Sequence, residues 1–236
     1  MLRSFRLGEA DRVLHVYTAE RGRVGAVAKG VRRTKSRFGG RLEPLSHVEL
    51  MLHQGSGDLQ TVTGADLRAS HHESREDPYR LAAGLIGAEA MLRLFTEQEA
   101  NERAFTALTR FLDRLDVIPS RAPAAPALDP LVLSFQLKLL WVSGYMPHLE
   151  SCVECGAVEG LVGYLPAAGG AVCRGCGPGS IALSAEGAQA IQTLVATPLA
   201  AAAEAGLTES GAREALAIVR ASYEHQGGFR LRTLSA

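Results

Sequence analysis

Four cysteines fall in two matched pairs, Cys152-Val153-Glu154-Cys155 and Cys173-Arg174-Gly175-Cys176, with seventeen residues between them. A C-x-x-C turn aims two thiolates at one ion, and its backbone N–H groups can bond the sulfurs. Each pair is followed by a glycine, Gly156 and Gly177, where the chain often needs a left-handed conformation. Two such knuckles make a tetrahedral four-thiolate site. Zinc suits it first, and an iron–sulfur cluster takes the same ligands. Two disulfides would need an oxidising compartment, against which stands an N-terminus without an apolar leader. Four protein thiolates leave no open position for water or substrate, so the expected role is structural. His148 lies close by and reads as an ordinary loop histidine, because the shell is already full.

The second constellation is cationic. Residues 29–41 hold Lys29, Arg32, Arg33, Lys35, Arg37 and Arg41 and no acid. Phosphates attract such a segment whatever their base sequence. Phe38, in its midst, could stack on an exposed base or sit in the core, and both readings stay open. The net charge of zero hides a segregation. Residues 1–42 carry 11 Lys and Arg against three acids, and the rest carries 14 against 22. That is +8 against −8, which points to a polyanion partner for one end of the chain. The bland alternative is a solvated face whose charges cluster.

Catalytic patterns are missing. The sequence holds no G-x-x-x-x-G-K-[ST] phosphate loop, no dinucleotide fingerprint, no H-E-x-x-H and no G-x-S-x-G. His71-His72 beside Glu73 reads as a surface pair. A binding protein, not an enzyme, is expected.

The elements that must position these groups can be read from hydrophobic period. Val13 to Thr18 and Val24 to Ala28 read as a hairpin about the turn at Glu20-Arg21-Gly22. In His47 to His53, Val48, Leu50 and Leu52 alternate with His47, Glu49 and His53, as in a half-buried strand. Residues 54–58 form a turn before a strand at Leu59 to Thr63. Four or five short strands in about 70 residues suggest a small barrel or sandwich, with an OB-like barrel permitted. From Pro78 the period becomes helical. Leu81, Leu85, Ala88, Leu92 and Phe95 form one stripe, Phe105, Leu108, Leu112 and Leu115 a second, Val132, Phe135, Leu139 and Val142 a third, and Ala212, Leu216, Val219 and Tyr223 a fourth. The proline-rich segment 119–130 is a loop. Leu161 to Leu165 and Ala171-Val172 read as a hairpin that brings the two knuckles together. The expected fold is α+β: an OB-like barrel over 1–77, then a helical domain over 78–236 with the metal insert at about 150–178. No apolar run is long enough to span a membrane, and the protein is expected in the cytoplasm.

These residues also carry a resemblance. Glu9-Ala10-Asp11-Arg12-Val13-Leu14, Tyr17-Thr18-Ala19-Glu20-Arg21-Gly22 and Ala28-Lys29-Gly30-Val31-Arg32-Arg33-Thr34-Lys35-Ser36-Arg37 resemble the N-terminal signature of bacterial RecO, and Leu42-Glu43-Pro44-Leu45 fits the next stretch of that family's pattern. Gly144-Tyr145-Met146-Pro147-His148-Leu149 leading into Cys152-x-x-Cys155-Gly156 is similar to that family's zinc segment. The order of parts agrees along nearly the whole chain. The resemblance implies an OB fold followed by helices with a zinc insert. It also implies binding of single- and double-stranded DNA, annealing of complementary strands, and loading of RecA onto DNA covered by single-strand-binding protein. RecR and the C-terminal tail of single-strand-binding protein are the implied partners, and association with the nucleoid would accompany them. Carried over, Lys29, Arg32, Arg33, Lys35, Arg37 and Arg41 contact DNA phosphates and the four cysteines hold scaffold zinc. Lys138, near Phe135 and Val142, could meet a tail carboxylate. The competing readings are a zinc-ribbon RNA-binding factor and a non-catalytic adaptor that docks an acidic protein on the loop.

Overall fold

The computed structural model describes every residue except 56, 58, 122–124 and 235–236. Parts of the turn at 54–58 and of the loop at 119–130 therefore lie outside the described residues. Two compact units divide the chain, Met1–Val117 and Ile118–Ala236. The change of hydrophobic period at Pro78 falls inside the first of them.

The first unit opens with five strands: β1 Arg3–Leu7, β2 Asp11–Thr18, β3 Gly22–Ala28, β4 His47–His53 and β5 Gln60–Ala69. Their order in the sheet is β1-β2-β3-β5-β4. β1, β2 and β3 form an antiparallel meander, β3 pairs parallel with β5, and β4 antiparallel with β5. One face buries Leu14, Val16, Val24, Ala26, Ala28 and Val62 over Phe38 and Leu42, with Val48, Leu50 and Leu52 packed at its margin. The alternation read in β4 is therefore correct.

The sheet is not the closed barrel expected from the sequence. Near its edge strands β1 and β4, Leu45 N–H donates to the Met1 carbonyl at 3.0 Å and the Met1 amino group to the Ser46 carbonyl at 2.9 Å. Among the described residues no ladder joins β1 to β4, and β4 shifts register twice against β5, irregularities that bend a strand.

Three helices complete the unit: α1 His72–Glu76, α2 Pro78–Leu94 and α3 Glu102–Val117. α2 starts at Asp77, whose carboxylate accepts the Arg80 N–H at 2.8 Å, with Pro78 in the first turn. Of the expected stripe Ala88 and Phe95 are buried and Leu81 and Leu92 half-buried, but the buried face is centred elsewhere and leaves Leu85 out. Tyr79, Ala83, Gly84, Ile86, Ala90 and Met91 are buried while Leu85 points to solvent. The cause is close packing of small residues: a Cβ on Gly84 would lie 2.5 Å from Leu45 Cδ1. In α3 the expected Leu108, Leu112 and Leu115 are buried. His71 is not the surface residue expected. It is buried, with Nδ1 2.9 Å from the Leu45 carbonyl and Nε2 3.0 Å from Asp113, and only His72 is exposed.

The second unit holds α4 Pro130–Val142, strands β6 Leu161–Leu165, β7 Gly170–Cys173 and β8 Ile181–Ala182, then α5 Ala185–Ala196 and α6 Glu209–His225. α4 is buried on nearly every side, and α6 buries Ala212, Leu216, Val219 and Tyr223 as its stripe requires. Asp129, Ser184 and Thr208 cap the three helices by accepting from Leu131, Gly187 and Gly211. Among the described residues no helix is long and apolar enough to cross a membrane.

Candidate nucleic-acid interface and metal centre

The basic loop comes directly after β3 and is held by its own backbone. Gly30, at φ +68°, turns the chain, and its N–H donates to Asp11 Oδ1 at 2.7 Å. Arg32 N–H donates to the Ala10 carbonyl at 2.9 Å, which fastens the loop to the turn between β1 and β2. The bonds Ser36 to Arg33, Gly39 to Ser36 and Arg41 to Phe38 continue as successive turns. Phe38 settles the open question about its role: it is 1% exposed and belongs to the core beneath the sheet. It anchors the loop and does not stack on a base.

All six cations expected at the site are exposed. They divide by what they touch. Arg37 donates to the Val62 carbonyl at 3.2 Å and lies over the Phe38 ring at 4.8 Å, while Arg41 donates to the Ala65 carbonyl at 3.3 Å. These two tie the loop to β5. Arg32 donates to the Glu9 carbonyl at 2.9 Å. Lys29, Arg33 and Lys35 make no side-chain hydrogen bond or ion pair among the described residues, so their charges face solvent unneutralised. Phe38→Ala should cost about 3–5 kcal/mol in urea unfolding, since it empties a large core position. It should also weaken polyanion binding by loosening the loop, although no charge is removed.

The metal centre sits in the second unit. The β6–β7 hairpin is the one expected, and β8 adds an unforeseen third strand in the order β7-β6-β8. Ala171 N–H donates to the His148 carbonyl at 2.7 Å and Val153 N–H to the Ala171 carbonyl at 2.9 Å, so the first knuckle lies along β7. The hairpin is moored to α6. Tyr164 Oη and Ser222 Oγ lie 2.9 Å apart, and Gln226 Nε2 donates to the Pro166 carbonyl at 3.1 Å.

This scaffold brings all four sulfurs within 4.8 Å of one another. Cys155 Sγ and Cys173 Sγ are 3.7 Å apart. A tetrahedron with metal–sulfur distances of about 2.3 Å has sulfur–sulfur edges of about 3.8 Å, whereas a disulfide needs about 2.05 Å. All four cysteines are free. Backbone N–H groups, that of Cys173 foremost, draw the Cys152 thiol down to about 6, and that of Cys176 lowers Cys173. The neighbouring sulfurs push the other two up, Cys173 foremost raising Cys176 to about 12 and Cys152 raising Cys155 against the Ala157 N–H. Backbone N–H groups therefore favour thiolate at Cys152 and Cys173 only, and the full set of four thiolates needs a cation among them. These residues fit a metal ion, and their chemistry fits zinc. The two glycines after the pairs serve different ends. Gly156 is left-handed at φ +77°, but Gly177 is not, and there a Cβ would lie 3.1 Å from the Cys173 carbonyl. His148 stays outside the cluster, with Nε2 2.8 Å from Ser151 Oγ.

Lys138 does not present its ammonium for an incoming carboxylate. Its Nζ donates to the Leu194, Val195 and Thr197 carbonyls at 3.1, 3.1 and 2.9 Å, closing the C-terminus of α5. Desolvation lowers its pKa from the usual lysine value. Lys138→Met should cost roughly 2 kcal/mol of stability, measured by urea unfolding, because carbonyls lose a charged donor while the apolar stem is kept.

The sequence is similar to known proteins along almost its full length. Residues 1–71 match the family model "Recombination protein O N terminal", and residues 75–235 match "Recombination protein O C terminal". The chain belongs to the RecO family. A DNA repair protein RecO from Rubrobacter xylanophilus is 40% identical over 219 residues, covering 89% of this chain and 84% of that protein. The relative of the same name from Anaeromyxobacter sp. (strain K) is 37% identical over 237 residues, covering 98% and 91%. A third, from Nocardioides sp., is 40% identical over 202 residues, covering 83% and 80%. A role in DNA repair and recombination comes with RecO membership.

Sequence reasoning missed β1 altogether. Charged residues interrupt its apolar pattern, yet Phe5 and Leu7 recur at the two-residue spacing of a strand face.

Proposed function

We propose that this chain is a non-catalytic mediator of recombinational DNA repair. It binds single- and double-stranded DNA through Lys29, Arg32, Arg33, Lys35, Arg37 and Arg41. It anneals complementary strands and, with RecR, helps load RecA onto DNA covered by single-strand-binding protein, whose C-terminal tail it engages. DNA binding is assigned to residues 1–77 and the metal-bearing scaffold to 78–236, with structural zinc on Cys152, Cys155, Cys173 and Cys176. The protein works in the cytoplasm at the nucleoid.

The observation that carries this reading is the loop at 29–41: six exposed cations on a backbone anchored by a buried Phe38. Such a surface neutralises two phosphate backbones at once and lets strands approach, while the bases supply the specificity. The strand order β1-β2-β3-β5-β4 supports treating the sheet as a partly open, OB-like barrel. The test is annealing of complementary oligonucleotides coated with single-strand-binding protein. The protein should accelerate duplex formation, and should not do so after Arg32, Arg33 and Lys35 are changed together to Glu. Annealing no faster than with single-strand-binding protein alone would refute the proposal. Much tighter binding to a matched RNA would favour an RNA-directed role.

A further inference from the structure

The face of the sheet opposite the core is open along β1 and the adjoining part of β2, where Val13 and His15 are half-buried, while farther along β2 Tyr17 packs on Phe95. Phe5 and Leu7 are 40% and 43% exposed. The Arg3 guanidinium lies 4.2 Å from the Phe5 ring centroid. His15, directly opposite Arg3 in the ladder, meets Phe5 edge-on, with ring centroids 5.6 Å apart and an interplanar angle of 84°. Val13 sits opposite Phe5 and Val27 opposite Val13, which continues an apolar floor across three strands. Gly25 and the 41% exposed Leu59 extend it, since a Cβ on Gly25 would lie 2.7 Å from Leu59 Cδ2. Burial, then the neighbouring Arg23 and more weakly Arg3, lowers the His15 pKa from its ordinary value against the opposing pull of Glu97.

Two observations identify the occupant. The exposed aromatic is interleaved with cations, Arg3 on its own face and Arg6 on the other side of the edge strand. The platform also adjoins the basic loop, whose Arg32 bonds the Glu9 and Ala10 carbonyls in the turn leaving β1. A flat apolar floor with aromatic and guanidinium planes, bordered by unneutralised cations, suits a strand whose bases are unpaired. A duplex keeps its bases stacked inside and would gain nothing from Phe5.

We propose that the outer face of β1 and β2, built on Phe5, His15 and Arg3, stacks the bases of a single nucleic-acid strand while the loop at 29–41 holds its phosphates. This rests on the DNA-binding reading and adds to it the residues that tell single strands from duplex. Stacking requires an unpaired base, which a phosphate contact does not read.

The test compares a labelled oligothymidylate of about 16 nucleotides with an abasic strand of the same length and charge, using the full chain. Wild type should bind the base-bearing strand roughly 5- to 30-fold tighter, and Phe5→Ala should erase that preference while leaving the salt dependence unchanged. Phe5→Trp should keep the preference, and its indole emission should be quenched by the base-bearing strand alone. Its signal is read against the single native Trp141. Equal binding of both strands by wild type, or a Phe5→Ala variant that keeps the preference, would overturn the platform and leave the basic-loop reading standing. Failure of wild type to bind either strand at low salt would overturn both.

Discussion

Changing Arg32, Arg33 and Lys35 together to glutamate should abolish single-stranded DNA binding at physiological salt, a loss of at least about 100-fold. If about five phosphates are contacted, log K for single strands falls with log salt at a slope of roughly −3.5, and losing three contacts leaves about −1.4. The new carboxylates also repel the phosphate backbone that the cations would have held. The fold should survive. All three side chains are exposed, and those of Arg33 and Lys35 make no hydrogen bond or ion pair among the described residues, while Arg32 holds only the Glu9 carbonyl. Surface changes of this kind shift stability by about 0.5 kcal/mol or less each. A folded triple variant that binds like wild type would mean that the loop serves another partner. Arg37 and Arg41 are poorer test sites, because their bonds to the Val62 and Ala65 carbonyls position the loop as well.

The second large effect concerns the metal. Stripping zinc, or changing Cys152 to Ser, should unfold the two knuckles and lower the melting temperature, since structural zinc in isolated fingers contributes on the order of 10 kcal/mol or more. Cys152 is the most buried ligand, so it is the change least easily absorbed. Hydrogen exchange should rise at 152–156 and 173–177 first. The hairpin should resist longer, because Tyr164 stays bonded to Ser222 and Gln226 to Pro166. Metal analysis should return one zinc per chain. DNA affinity should change little, because the ligands lie far along the sequence from the basic loop and leave no open coordination position. Loss of DNA binding on zinc removal would contradict a scaffold role.

How much of this was legible in the sequence depended on whether a residue acts through local spacing or through packing. The cysteine pairs, the β6–β7 hairpin and the basic run declare themselves by spacing alone, and so do the stripes on α3 and α6. The helix starts at Asp77-Pro78 and Asp129-Pro130 follow capping chemistry that the hydrophobic period did not use. What stayed hidden depended on partners distant in sequence. Phe38 looked equally suited to a base or a core until the sheet closed over it. Lys138 looked like a surface cation, but its three acceptors lie more than fifty residues away. His71 is buried because Leu45 and Asp113 converge on it from different elements. On α2 the stripe placed Ala88 and Phe95 correctly but misplaced Leu85, because Gly84 and its small neighbours take the close approach, and no hydrophobic pattern reports closeness of approach. The open edge between β1 and β4 and the register shifts of β4 are not revealed by the alternation of Val48, Leu50 and Leu52.

The most direct test of the central claim is the salt dependence of single-stranded DNA binding by the unmodified, zinc-loaded protein, monitored by fluorescence anisotropy across a series of salt concentrations. The account predicts tight binding at low salt and a log–log slope near roughly −3.5. A flat response, or no binding at low salt, would contradict it and would make the charge of residues 29–41 a surface for a protein partner.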